Sequence, residues 1–337
     1  MEKVRLHTAV VILSLLAVAL LTASSASAHL LVNSCSTDAV LRYDEATGAF
    51  VDAFVSPQSG GVSGNCAGLT LGPDGNLYVS NFSTDNVLRY DGTTGAFINA
   101  FVSPQSGGLN GAEGIAFGPD GNLYAASYIT DAVLRYDGTT GGFLDAFVTP
   151  QSGGLNGPDG LTFGPDGNLY VTSDQTDAVL RYDGTTGAFI DAFVSPQSGG
   201  LDDPLPLVFG PDGNLYVGSC NIHAVLRYDG TTGAFIDAFV SPQSGGLDCP
   251  YGLTFGPDGN LYVSSCDTSA VLRYNGSTGA FIDAFVSPQS GGLDCPSGLI
   301  FTSSAGGTTT GGTTTGGETT GGTTGGDAGS GGCSLVR

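Results

Sequence analysis

The chain has no tryptophan, one methionine (Met1) and one lysine (Lys3) in 337 residues. Nine Lys and Arg stand against 31 Asp and Glu, a formal charge of −22. Between residues 29 and 302 the only cations are arginines, at 42, 89, 135, 181, 227 and 273, against 28 acids, so this stretch carries 6 − 28 = −22. No basic stripe exists to meet a polyanion, which excludes nucleic-acid binding and docking on anionic membrane. Histidine is as scarce: beyond residue 28 there are only His29 and His223. Zinc-ligand spacing, a phosphate-binding loop and a nucleophile elbow are all absent. So is an Asp-x-Asp-x-Asp-Gly calcium loop; the recurring Pro-Asp-Gly-Asn reads as a turn.

One apolar run is present, Ala9 to Leu21, about 13 residues and too short to span a bilayer. Lys3 and Arg5 precede it and Ala26-Ser27-Ala28 follows, the layout of a secretory signal peptide over 1–28. The expected location is therefore outside the cell or at its envelope. From Ser303 to Arg337 the chain is almost wholly Gly, Thr and Ser, with nothing to bury, and a disordered tail is expected. Its Gly-Gly-Cys333-Ser-Leu resembles the start of bacterial C-terminal sorting tails, in which such a cysteine is processed. Only Val336 and Arg337 follow, without the hydrophobic and basic segments of those tails.

The remainder, 29–302, repeats. Gly-Pro-Asp-Gly-Asn-Leu-Tyr begins at Gly72, Gly118, Gly164, Gly210 and Gly256, 46 residues apart each time. Residues 158–194 display the unit. Gly160–Phe163 is a short apolar strand and Gly164–Gly167 a turn; Asn168–Thr172 and Ala178–Tyr182 are further strands. Asp183–Gly187 then turns into a fourth strand, Ala188–Val194. Four antiparallel strands in this length make a propeller blade. First strands occur at Gly68, Gly114, Gly160, Pro206, Gly252 and Gly298, and third strands at Val40, Val87, Val133, Val179, Val225 and Val271. The domain starts in a second strand, Leu30–Asn33, and stops after a first strand, Gly298–Phe301. An open solenoid has no reason for that offset, whereas a closed ring needs it. The expectation is an all-β, six-bladed propeller, its C-terminal strand 298–301 completing the N-terminal blade.

Seven cysteines in an exported chain suggest disulfides. Cys35, Cys220 and Cys266 share one repeat position, and Cys66, Cys249 and Cys295 another. Junctions that lack one member lack both: Phe82, Tyr128 and Asp174 face Gly111, Gly157 and Asp203. Chance gives that match about one time in twenty. The expected pairs are Cys35–Cys66, Cys220–Cys249 and Cys266–Cys295, with Cys333 left over. The rival scheme, Cys249–Cys266 with Cys35–Cys295, strands Cys66 and Cys220. Each arginine lies in the same Val-Leu-Arg-Tyr motif, and the expected role is an ion pair with the Asp of the fourth strand.

Gly-Leu-Thr-Phe-Gly-Pro-Asp-Gly-Asn-Leu-Tyr-Val resembles the blade of NHL-repeat propellers, over about 270 residues. At blade level the chain is also similar to virginiamycin B (streptogramin) lyases and to metal-dependent gluconolactonases. The first resemblance implies a catalytic histidine and glutamate with magnesium; His223, alone in its loop, does not supply that set. The second implies Glu, Asn and Asp ligands at the channel mouth. The residue ahead of each first-strand Gly is expected there: Ser297, Ala67, Glu113, Asp159, Leu205 and Tyr251. Glu113 and Asp159, with Asp174, Asp202 and Asp203 on the same side, are the candidate metal ligands, for Ca²⁺ or Mg²⁺ through oxygen. Weighing against catalysis, most loops are copies, such as Ser-Pro-Gln-Ser-Gly-Gly at Ser56, Ser103, Ser195, Ser241 and Ser287. An active site needs unlike groups on unlike loops. The sequence therefore reads as a monomeric binding or structural module with a protein or glycan ligand, the alternative being a metal-dependent hydrolase or lyase.

Overall fold

The computed structural model describes residues 28–63 and 66–302, without the side chains of Cys66 and Ala67. The expected signal peptide (save Ala28), the Gly/Thr-rich tail and Cys333 lie outside the described residues.

Six four-stranded antiparallel sheets follow one another round a ring. Blade 4 is typical: an inner strand Pro158–Phe163, a second Leu169–Ser173, a third Ala178–Tyr182 and an outer Phe189–Val194. The inner strands stand next to one another about the axis. Blade 1 takes its inner strand, Pro296–Phe301, from the far end of the chain. It pairs antiparallel with His29–Ser34, Leu30 opposite Phe301 and Val32 opposite Leu299. The Thr302 amide donates to His29 O at 2.8 Å, sealing the ring. Both strands run a residue or two beyond the expected bounds, because Pro296 still pairs with Ser34 across a bulge. Proline is tolerated there as the first residue of a strand.

Second strands such as Leu169–Ser173 are buried along their whole length, since neighbouring blades cover both faces. The apolar core accordingly lies between blades, as where Tyr124 and Phe147 of blade 3 meet Leu161 and Leu169 of blade 4. Tyr170 packs edge-on against Phe193 of its own outer strand and Phe209 of the next inner strand, each at 4.9 Å between centroids. At that separation aromatic pairs add about 0.5–1.5 kcal/mol beyond area burial. The arginine expectation holds: Arg181 pairs with Asp191, Arg135 with Asp145, Arg227 with Asp237 and Arg273 with Asp283, each at 2.6 Å, and Arg42 with Asp52. Blade 2 departs, since Asn99 stands opposite Arg89.

A polar clip joins neighbouring blades near the axis at every second junction. Ser80 Oγ accepts from the Gly68 amide at 2.8 Å and donates to Glu113 O of the next blade at 2.6 Å. Thr172 and Ser264 donate in the same way to Leu205 O and Ser297 O. The inner-strand glycine is needed because the neighbouring strand passes so close: a Cβ on Gly252 would come within 2.4 Å of Ser297 O. Blade 5 solves the crowding differently. Pro206 replaces the glycine and Gly218 replaces the hydroxyl residue; a side chain at 218 would meet the proline ring at 2.6 Å.

Candidate interaction face

On one face of the disc, the loop between second and third strands of each blade meets the segment entering the next blade. The loop ends in a left-handed residue: Asp38, Asp85, Asp131, Asp177, His223 or Ser269, with φ between 51° and 55°. Aspartate tolerates that conformation, and its carboxylate reaches across the junction. Asp85 Oδ1 accepts from the Gly111 amide at 2.8 Å, and Asp131 and Asp177 do the same for Gly157 and Asp203. In blade 5, His223 Nδ1 accepts from the Cys249 amide at 3.1 Å. The same nitrogen lies 2.9 Å from Asp248 Oδ1; one ring nitrogen either accepts from the amide or donates to the carboxylate, so the two contacts are alternatives. Asp267 completes that acidic corner; burial and the nearby Asp248 push its carboxyl above the usual range, opposed by His223.

Beside these bridges the six junctions divide into two halves. Disulfides Cys220–Cys249 and Cys266–Cys295 close two of them, each across 29 residues of sequence. Cys35 is buried at the next; its expected partner Cys66 has no described side chain, so that pair stays a proposal. At the other three junctions the cysteine position holds Phe82, Tyr128 and Asp174, and these form a chain. The Phe82 and Tyr128 rings meet edge-on at 6.1 Å, the Tyr128 hydroxyl donates to Asp174 Oδ2 at 2.7 Å, and Gln175 Nε2 donates to Tyr128 Oη at 3.2 Å. The aromatics occupy the space a bridge would fill. A Cβ on Gly111 would lie 2.8 Å from the Phe82 ring, and one on Gly157 3.1 Å from that of Tyr128. Ile129, Gln175, Asp202 and Asn221 extend the patch, all exposed, with Ile129 at 56 %.

The axial residues do not line an open mouth. Glu113, Asp159, Leu205 and Ser297 are wholly buried and Tyr251 is 2 % exposed. Each sits one residue inside its inner strand, where six strands converge. Leu205 and Tyr251 share an apolar cluster with Cys249, Cys266 and Cys295. Glu113 and Asp159 lie on neighbouring inner strands, while Asp174 is part of the Tyr128 chain and Asp202 accepts from Asn221 Nδ2 at 3.0 Å. Among the described residues no three His, Cys, Asp or Glu side chains gather as metal ligands. The Phe82–Tyr128–Asp174 chain escaped sequence reasoning as a unit. Its signal was the spacing of 46 at the cysteine position, read only as missing cysteines.

No family model matches the chain, and no curated protein matches it. Solved structures do. A chain in the crystal structure of a nidogen/laminin complex superposes with a TM-score of 0.64 at 20% identity, covering 82% of this chain and 99% of that one. The likeness is one of fold. A streptogramin B lyase gives 0.52 at 16% identity over 65% of this chain and 68% of its own. A protein of unknown function from Bacteroides caccae gives 0.58 at 13% identity over 82% and 98%. Neighbours that include a lyase and a protein from a protein–protein complex establish the propeller and leave the site to decide the function.

Proposed function

We propose that the chain is an exported binding module that engages a protein partner with exposed basic and apolar side chains through the junction face around Phe82, Tyr128 and Asp174. One observation carries this reading: a ring of near-copies departs from its repeat on this face, where aromatic and aliphatic groups adjoin carboxylates. A chain of charge −22 steers cations toward itself, and aromatics such as the partly buried Phe82 and Tyr128 are favoured anchors at interfaces. The nidogen/laminin neighbour is a complex between proteins, which supports a protein ligand. Two disulfides and the pattern of residues 1–28 support a place outside the cell.

Metal-dependent hydrolysis at Glu113 and Asp159 is the reading this displaces. It needs a third ligand and a path for substrate, and both carboxylates are sealed among the inner strands. The test is selection of displayed peptides on the full chain, counter-selected on Tyr128→Ala. Enriched peptides should carry Arg or Lys beside aromatics and bind the variant about ten-fold more weakly, the effect of losing one interface anchor. Equal binding to both, or turnover of lactones or esters with Ca²⁺ or Mg²⁺, overturns the reading.

A further inference from the structure

Thirteen large apolar side chains are exposed among the described residues, and twelve of them lie on the rim. They are the first two residues of every outer strand, such as Phe189 and Ile190 of blade 4, at 41–47 % exposure. Each outer strand is the last of its sheet, paired on one side only. Proteins usually blunt such edges with lysine, proline or unpaired inward charges. This rim has none of these, and only a double shift of register against the third strand in each blade interrupts its edges: no lysine follows Lys3, and the outer strands contain no proline. The one charge in a strand such as Phe189–Val194 is Asp191, neutralised by Arg181 within the blade. Five of the six edges share that arrangement, and blade 2 carries uncharged Asn99 in the same place.

We propose that the rim is a self-association surface, and that its occupant is the rim of a second copy of this chain. The strands are near-identical, so any outer edge can meet any other about a two-fold axis with the same residues on both sides, as an isologous contact requires. A six-residue strand is about 20 Å long, and one edge contact falls well short of the ~800 Å² per partner typical of a stable interface. A single contact is therefore weak. Six on one disc act together and favour extended assembly in the plane of the ring over a closed dimer. The charge of −22 opposes this approach at low salt. Screening shortens the reach of that repulsion from about 10 Å at 0.1 M to about 3 Å at 1 M, so assembly should grow with salt and leave both faces of the disc open. A monomer is then expected only at low ionic strength.

Sedimentation velocity and electron microscopy of the full chain at 0.05, 0.5 and 2 M NaCl test the proposal. The expected result is monomer at the lowest salt and at least a ten-fold rise in mean mass at the highest, as flat assemblies. Replacing the second rim residue of every blade (V51K, I98K, L144K, I190K, I236K and I282K) should hold the chain monomeric throughout. That variant lowers the net charge from −22 to −16, so weaker repulsion cannot be what dissolves the assembly. Should it fail to fold, I98K/I190K/I282K, with three edges intact, should still reduce the mean mass several-fold. Monomer at every salt concentration, or assembly unchanged in the folded variants, overturns the proposal.

Discussion

Arg181 and Asp191 face each other in register across the third and outer strands of blade 4, joined fork to fork: Nε to Oδ1 at 3.1 Å and Nη2 to Oδ2 at 2.6 Å. The guanidinium also lies 5.0 Å from the Phe193 ring centroid. Blade 2 keeps the arginine and loses the acid. Arg89 Nε is buried without a hydrogen-bond partner, and the carboxylate that remains to this guanidinium is Asp74, 3.6 Å from Nη1. Restoring the acid with Asn99→Asp should stabilise the domain by about 0.5–1 kcal/mol, discounted because these carboxylates are half exposed. Asp191→Asn should cost as much. Thermal melting reads both, and equal melting temperatures would refute the pairing as a source of stability.

The half-ring of disulfides should bear much of the resistance to opening. A bridge spanning 29 residues contributes about 3–4 kcal/mol in the chain-entropy description. Reduction should therefore lower the melting temperature sharply. Unreduced peptide mapping should recover Cys35 joined to Cys66. Alkylation of Cys35 without reductant would contradict that third bridge.

The other half can be converted. Cys249 and Cys295 hold φ of 43° and 45°, and Gly157 holds 63°, so a cysteine fits the backbone there. Tyr128→Cys with Gly157→Cys has the separation of the native bridges and should oxidise spontaneously. The new bridge should raise stability and abolish ligand binding at this face. A free thiol count of three after air oxidation, instead of the one expected from Cys333, would show that the junctions are not equivalent.

Stability should fall at both ends of the pH scale. The Thr140 hydroxyl and the Thr140 and Thr139 amides hold the Asp137 carboxyl below its usual range, and Asp91, Asp183 and Asp229 have the same turn. Their contribution is present above the unfolded carboxyl pKa of about 4 and is lost as pH falls below it. Burial pushes Tyr124, Tyr170, Tyr216 and Tyr262 up to about 12. Stability from their neutral form is intact below about pH 10 and is lost as pH rises toward 12. Melting followed against pH should give a plateau with two shoulders; a flat profile from pH 10 to 12 would contradict the buried tyrosines.

Most of the fold was legible because a 46-residue period repeats every strand, and the offset between Leu30 and Phe301 announces closure. The cysteine positions could be paired for the same reason: a constraint on one blade recurs on the next. What could not be read was depth. The sequence places Glu113 and Asp159 ahead of a strand glycine, and only the convergence of six inner strands shows that this position is sealed. The Tyr128–Asp174 bond was hidden for a related reason, since it joins residues that a repeat alignment puts in one column rather than in contact. The alternation of Ser80, Thr172 and Ser264 with Asn33, Ala126 and Gly218 round the axis has no physical account here.

That departures from the repeat mark the working surface is tested most directly by hydrogen exchange of the full chain with and without a selected basic peptide. Protection is predicted at residues 82–84, 110–111, 128–130, 156–157 and 174–175, with the rim strands and the opposite turns unchanged. Protection confined to those turns or to the outer strands would contradict it.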